Sequence, residues 1–245
     1  MVSYLDTEGG RIAYHKTEGS GPGVVFLGGF KSDMEGTKAV YLQQWAKTNG
    51  RAFLRLDYTG HGQSSGEFVN GCIGDWARDA RAVIETLTKG PQILVGSSMG
   101  GWISLLLCRD IPAKVHGLVG IAAAPDFTED SMWRGFNDEQ RETILKDGQI
   151  DLPSEYSDEP YIITKKLIED GRKQLVLRSP LALPFAVRFL QGTEDADVDQ
   201  SVALRLLKHA SGEDIRLTLL KGANHSFSTP ECLTMITETI EQVSG

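Results

Sequence analysis

The chain has little cysteine and no long apolar run, and each absence narrows what it can be. Three cysteines stand in 245 residues, Cys72, Cys108 and Cys232, widely spaced and with no CxxC pair. An odd, scattered set supplies neither a disulfide framework nor a zinc-site pattern, and it fits a reducing compartment. Cys108 follows Leu105-Leu106-Leu107 and reads as a buried space-filler rather than a nucleophile. No apolar stretch reaches the ~18 residues expected of a membrane-spanning helix. No basic segment with an apolar run behind it opens the chain. The expectation is a cytoplasmic protein with no stable membrane insertion. Basic charge is short as well: 25 Lys and Arg against 33 Asp and Glu leave a formal net charge of -8. That balance argues against nucleic acid and anionic lipid as main partners. Histidine is scarce, five residues in all, so any catalytic base comes from a short list.

What is present is an alternation of strands and helices. Arg11 to His15, the fully apolar Val24-Val25-Phe26-Leu27, Arg51 to Asp57, Gln92 to Val95, Val115 to Ala122, Val187 to Gln191 and Ile215 to Leu220 read as strands. Helical periodicity falls between them, at about 36–47, 75–88, 99–109, 199–209 and 229–243. Short apolar runs separated by amphipathic helices predict an α/β fold with a mostly parallel sheet covered on both faces. A chain of this length suits a single domain. Residues 126–180 interrupt the rhythm with polar, mixed-charge sequence and amphipathic pieces at Met132–Ile144 and Tyr161–Ile168. A connection this long is expected to serve as a lid over the carboxyl ends of the strands.

Gly96-Ser97-Ser98-Met99-Gly100 lies between a strand and a helix. A serine between two glycines at such a junction is a nucleophile elbow: the turn is too tight for side chains two positions either side. A serine hydroxyl needs a base, and the base needs an orienting group. His15 and His116 fall in strands, and His209 ends a helix. His225 follows the last strand in a loop and is the expected base, with His61 in a glycine-rich turn as the alternative. For the acid, Gly192-Thr193-Glu194-Asp195-Ala196-Asp197 follows a strand. Asp195 leads there among Glu194, Asp197 and Asp199, and Asp126 after strand 115–122 is a second candidate. The oxyanion donors should be the amides of Met99, next to the serine, and of Phe30 in Gly28-Gly29-Phe30.

Taken together, Gly28-Gly29-Phe30, Asp57-Tyr58-Thr59-Gly60-His61-Gly62, Gly96 to Gly100, Gly192 to Asp195 and Asn224-His225 occur in the order of the α/β-hydrolase superfamily, which the chain resembles from about residue 10 to 243. A closer resemblance is to the mitochondrial acyl-protein thioesterase group, also described as acyl-glucuronide esterases. It runs through Gly36-Thr37-Lys38-Ala39, Gly90 to Trp102 and Pro153-Ser154-Glu155-Tyr156-Ser157. The resemblance implies an α/β-hydrolase fold, palmitoyl-thioester or acyl-glucuronide hydrolysis, and Ser98, Asp195 and His225 as triad.

The expected reaction is a two-step acyl transfer through an acyl-enzyme, on a small-molecule or acylated-protein substrate, with no metal or organic cofactor. Met132, Trp133, Phe136, Tyr161 and Ile163 are candidates for the acyl pocket, against a plainer role in packing lid on core. Two alternatives remain at this point. A peptidase or amide hydrolase would use the same triad and turn over aminoacyl p-nitroanilides. A ligand-binding homologue without catalysis would resist labelling of Ser98 by a fluorophosphonate.

Overall fold

The structure is a computed structural model, and it describes residues 2–153 and 160–245. The stretch Ser154 to Ser157, one of the resemblance motifs, lies outside the described residues. Among the described residues, one eight-stranded sheet organises the chain. It is built from β1 (Ser3–Thr7), β2 (Gly10–Thr17), β3 (Ser20–Leu27), β4 (Arg51–Leu56), β5 (Gln92–Ser97), β6 (Val115–Ile121), β10 (Ala186–Gly192) and β12 (Ile215–Leu220). The spatial order is β1-β2-β4-β3-β5-β6-β10-β12. Only the β1–β2 and β2–β4 pairings are antiparallel. The order reverses between β3 and β5, so the loops leaving those two strands open a crevice at the carboxyl edge. This is the α/β-hydrolase fold.

The apolar runs are explained by burial on both faces. Along β3, Val25 and Leu27 join one core cluster while Val24 and Phe26 join the other. The same period-two split separates Leu94 from Ile93 and Val95 on β5. The helices α2 (Ile73–Leu87) and α3 (Met99–Asp110) cover the first face. The helices α1 (Thr37–Thr48) and α7 (Pro230–Ser244) cover the second. Helix α3 is buried along nearly its whole length, Cys108 included. All three thiols are free and buried, and burial pushes the Cys108 thiol far above its ordinary value.

Between β6 and β10 the chain forms a π-helical turn (Thr128–Trp133), α4 (Asp138–Asp147), the hairpin strands β7 (Gln149–Leu152) and β8 (Tyr161–Thr164), α5 (Lys165–Lys173) and the two-residue β9 (Leu181–Ala182). The amphipathic piece expected at Met132–Ile144 is divided. Asn137 and Gln140 form a capping box that starts α4 afresh. The piece expected at Tyr161–Ile168 changes type part-way, because Ile162, Ile163 and Thr164 are β-branched and pair with β7. Thr164 then caps α5 through the Leu167 amide. The edge strand β1 was not expected, since Ser-Tyr-Leu-Asp-Thr carries little apolar pattern. Beyond β10 come α6 (Gln200–His209) and β11 (Ala210–Ser211). No described helix is long and apolar enough to cross a membrane.

Candidate active site

Ser98 sits between β5 and α3 with φ 53° and ψ -116°, a strained backbone for a residue with a side chain. Neighbouring glycines make the turn feasible. A Cβ at Gly100 would lie 2.0 Å from the Leu27 carbonyl oxygen, and one at Gly96 would lie 2.3 Å from that of Gly100. The Ser98 amide donates to Ile121 at 2.9 Å, and its carbonyl accepts from Ala124 at 3.1 Å. The end of β6 and the residues just beyond it therefore hold the strained residue by both its amide and its carbonyl.

The hydroxyl of Ser98 lies 3.2 Å from His225 Nε2. His225 Nδ1 lies 3.0 Å from both carboxylate oxygens of Asp195. That pairing sets the tautomer: Nδ1 donates to the carboxylate, and Nε2 is left to accept from the serine. Asp195 has no exposed side-chain surface. Burial alone would raise its carboxyl, but hydrogen bonds from His225, the Val198 amide and the Gln191 side chain outweigh that and hold it below the usual value. Oδ1 accepts from the amides of Asp197 and Val198 at 3.0 and 2.8 Å, and Oδ2 from Gln191 Nε2 at 2.9 Å. Asp195, Asp197 and His225 are also the one described set with metal-ligand spacing. The hydrogen bonds already made by both Asp195 oxygens make it a poor cation cage.

The alternative site residues go elsewhere. His61 is buried among Tyr58, Phe68 and Trp76, and burial pushes it down to about 4. A ring that stays neutral inside an aromatic cluster is structural. Asp126, fully buried, accepts from the amides of Val176 and Leu177 at 2.8 and 3.0 Å and from Arg178 at 2.6 Å. It ties the return leg of the β6–β10 connection to the end of β6 and makes no bond to His225. Neither Gln191 nor the Asp126 clamp was anticipated. Gln191 stands near the carboxyl end of β10, and a polar residue at that end was the available signal.

The Gly28-Gly29-Phe30 loop lies against Ser98, with a Cβ at Gly29 falling 3.5 Å from Ser98 Cβ. The Phe30 ring packs edge-on to Phe68, Trp76 and Phe127 and stacks on Tyr161. The next residue, Lys31, has φ 55°, and its ammonium lies over the rings of Tyr161 and Phe68. Met99 is the first residue of α3, so its amide is one of the helix's unpaired donors.

A cleft of about 1160 Å³ opens over Ser98 and His225. It exceeds the common range for small-ligand pockets, about 300–1000 Å³. Met132, Tyr161 and Ile163 line it. Trp133 and Phe136 do not. Trp133 packs under the guanidinium groups of Arg141 and Arg172, and Phe136 is buried against it. Of the three candidates on this stretch, Met132 alone lines the opening, beside Asp130, Ser131 and Arg134.

A family model described as serine aminopeptidase, S33 (Hydrolase_4) matches residues 23–160. The chain belongs to the α/β-hydrolase family. This hydrolase is 33% identical to the rat protein named palmitoyl-protein thioesterase ABHD10, mitochondrial, over 95% of its own length and 78% of the relative. A solved putative hydrolase from Agrobacterium vitis superposes with a TM-score of 0.94 at 36% identity, covering 100% and 98% of the two chains. Mouse ABHD10 superposes at 0.91 with 32% identity, covering 99% and 97%. The chain is accordingly a hydrolase of the carboxylesterase/thioesterase type, acting on esters or thioesters. The cytoplasmic expectation is overturned by the ABHD10 relatives, which are named as mitochondrial. Unpaired, scattered cysteines speak to redox state and not to an address.

Proposed function

We propose that the chain hydrolyses carboxylic esters and thioesters through Ser98 as nucleophile, His225 as base and acid, and Asp195 as the group that orients His225. The observation that carries this reading is the unbroken relay from Ser98 Oγ through His225 to the buried Asp195 carboxylate. His225 takes the proton as Ser98 attacks the acyl carbonyl, and the amides of Phe30 and Met99 receive the oxyanion. His225 then gives that proton to the leaving alcohol, or assists a departing thiolate that needs it less. Water, activated by the same imidazole, releases the acid from Ser98.

Residues 126–180 form the lid in this reading, and Met132, Tyr161 and Ile163 contact the acyl group. The cleft volume supports an acyl chain together with a sizeable leaving group. The thioesterase names of the relatives support acylated protein or small acyl thioesters as substrates, with an acyl glucuronide as the oxygen-ester counterpart. One panel tests this: p-nitrophenyl esters from acetyl to palmitoyl, an S-palmitoyl-cysteine peptide, and an acyl glucuronide. Turnover of the thioester and of medium or long esters is expected. The description of the matching family model favours one rival, an aminopeptidase. Turnover of aminoacyl p-nitroanilides with silence on every ester would replace the present reading with that one.

A further inference from the structure

Lys38 is the second residue of α1 and lines the cleft together with His225. Its ammonium donates to the carbonyl of Ser226, the residue that follows His225. This is an unfavourable place for a lysine. The first turn of a helix carries partial positive charge, which repels a cation, and no acid stands in that turn of α1. Among the described residues no carboxylate pairs with Lys38. Its surroundings desolvate it enough to push the amine down to about 8.

The loop it touches has hydrogen bonds of its own. Ser226 Oγ donates to Asn224 Oδ1 at 2.8 Å, and the Phe227 amide donates to the Asn224 carbonyl at 3.2 Å. Several other charges at the cleft are engaged, while Arg134 and Asp197 also line it. Arg205 pairs with Asp130 at 2.6 Å, Lys31 lies over two rings, and Asp199 caps α6 through the Ser201 amide. Lys38 is left with an ammonium that spends one donor on Ser226 and has two more.

Position then gives it a use. The leaving atom of an ester or thioester must come within hydrogen-bond reach of His225 Nε2 to receive its proton. The leaving group therefore departs along the His225–Ser226 loop, where Lys38 sits. We propose that Lys38 forms a subsite for a carboxylate carried by the leaving group, so that the enzyme prefers acyl donors whose alcohol or thiol is anionic. Its two unspent N–H donors offer a carboxylate a charge-assisted hydrogen bond. The subsite rests on the acyl-transfer reading above, and it adds a residue and a charge preference to it.

The test uses two octanoyl thioesters of equal length, one of 3-mercaptopropanoate and one of the neutral 3-mercaptopropanamide. The wild type is expected to favour the carboxylate in kcat/KM. Lys38→Met should lower that preference about ten- to a hundredfold, the scale of one lost charge-assisted hydrogen bond. The loss should fall mainly on KM, and Lys38→Arg should restore most of it. Product inhibition of the wild type supplies a reading that needs no variant: 3-mercaptopropanoate should inhibit more strongly than its amide. Equal preference in wild type and Lys38→Met, or equal inhibition by the two thiols, overturns the subsite. Absence of turnover on both thioesters, with Ser98 inert to a fluorophosphonate, overturns the acyl-transfer reading instead.

Discussion

Two corners at the carboxyl edge of the sheet are each built around a buried aspartate. After β10, Asp195 accepts two backbone amides and faces His225. After β6, Asp126 accepts two backbone amides and faces Arg178. Neither carboxylate has exposed side-chain surface. The difference lies in the third partner. An imidazole gains and loses a proton near neutral pH, so a carboxylate behind it tunes an acid–base group. A guanidinium keeps its proton, so a carboxylate against it makes a fixed clamp. Arg178 and Arg205 also reach Asp130, which extends the clamp toward α6. In the proposed reading one corner serves chemistry, and the other holds the connection that forms one wall of the cleft.

Paired substitutions can break this comparison. Asp195→Asn should lower kcat by about 10⁴-fold, as the imidazole loses its orienting carboxylate, while Tm moves by only a few degrees. Asp126→Asn should do the reverse. Leaving a buried amide array and Arg178 without their anion should cost about 3 kcal/mol of stability, a Tm loss of roughly 2–4 °C for each kcal/mol in a chain of this size, with kcat within a few-fold. Thermal melts and steady-state rates on the two variants decide it. If Asp126→Asn loses turnover while holding its Tm, the roles given to the two corners are reversed.

Gln191 sharpens the comparison within the Asp195 corner. Its Nε2 donates to Asp195 Oδ2 at 2.9 Å and to the Val198 carbonyl at 3.0 Å. Gln191→Leu should reduce kcat/KM about three- to tenfold, one hydrogen bond's worth. The acid limb of the pH–rate profile should move up, because a less stabilised carboxylate holds the imidazolium proton more tightly. A merely structural glutamine would lower Tm and leave the limb in place.

Much of the architecture is written in the chain because both faces of the sheet are buried. Val24 to Leu27 and Ile93 to Val95 have no polar interruption to mislead, and the glycines around Ser98 follow from contacts of 2.0 and 2.3 Å that no Cβ could make. His225 emerged by elimination among five histidines. The acid was harder. Asp126 and Asp195 each follow a strand, and what separates them are partners 52 and 30 residues away, Arg178 and His225. Lys38 was visible only as part of a motif, because its significance depends on Ser226, 188 residues later. The β6–β10 connection blurred for a local reason. Tyr161–Ile168 carries strand-forming Ile162, Ile163 and Thr164 ahead of a helix, so one periodicity could not describe it. Trp133 and Phe136 were candidates for the acyl pocket against a plainer packing role, and neither lines the cleft.

The smallest effect expected is on stability at Lys38. The folded protein releases this proton at about 8, and an unfolded lysine near 10.4. Between those values the unfolded chain holds more protons, so wild-type stability rises with pH across that window. Below it, the desolvated ammonium is a cost. Lys38→Met should therefore melt higher than wild type at pH 7, by a few degrees, and the advantage should shrink as pH passes from 8 toward 10. A wild type that melts higher than Lys38→Met at pH 7 would mean that the ammonium stabilises its surroundings.

The central claim is that Ser98 carries the acyl group between two chemical steps. Rapid quenching of the enzyme with p-nitrophenyl octanoate, followed by mass spectrometry of the peptides, tests it most directly. The account predicts a burst of p-nitrophenol stoichiometric with enzyme and an octanoyl adduct on the peptide containing Ser98, both lost in Ser98→Ala. Turnover that continues in Ser98→Ala, or an adduct on another residue, would contradict it.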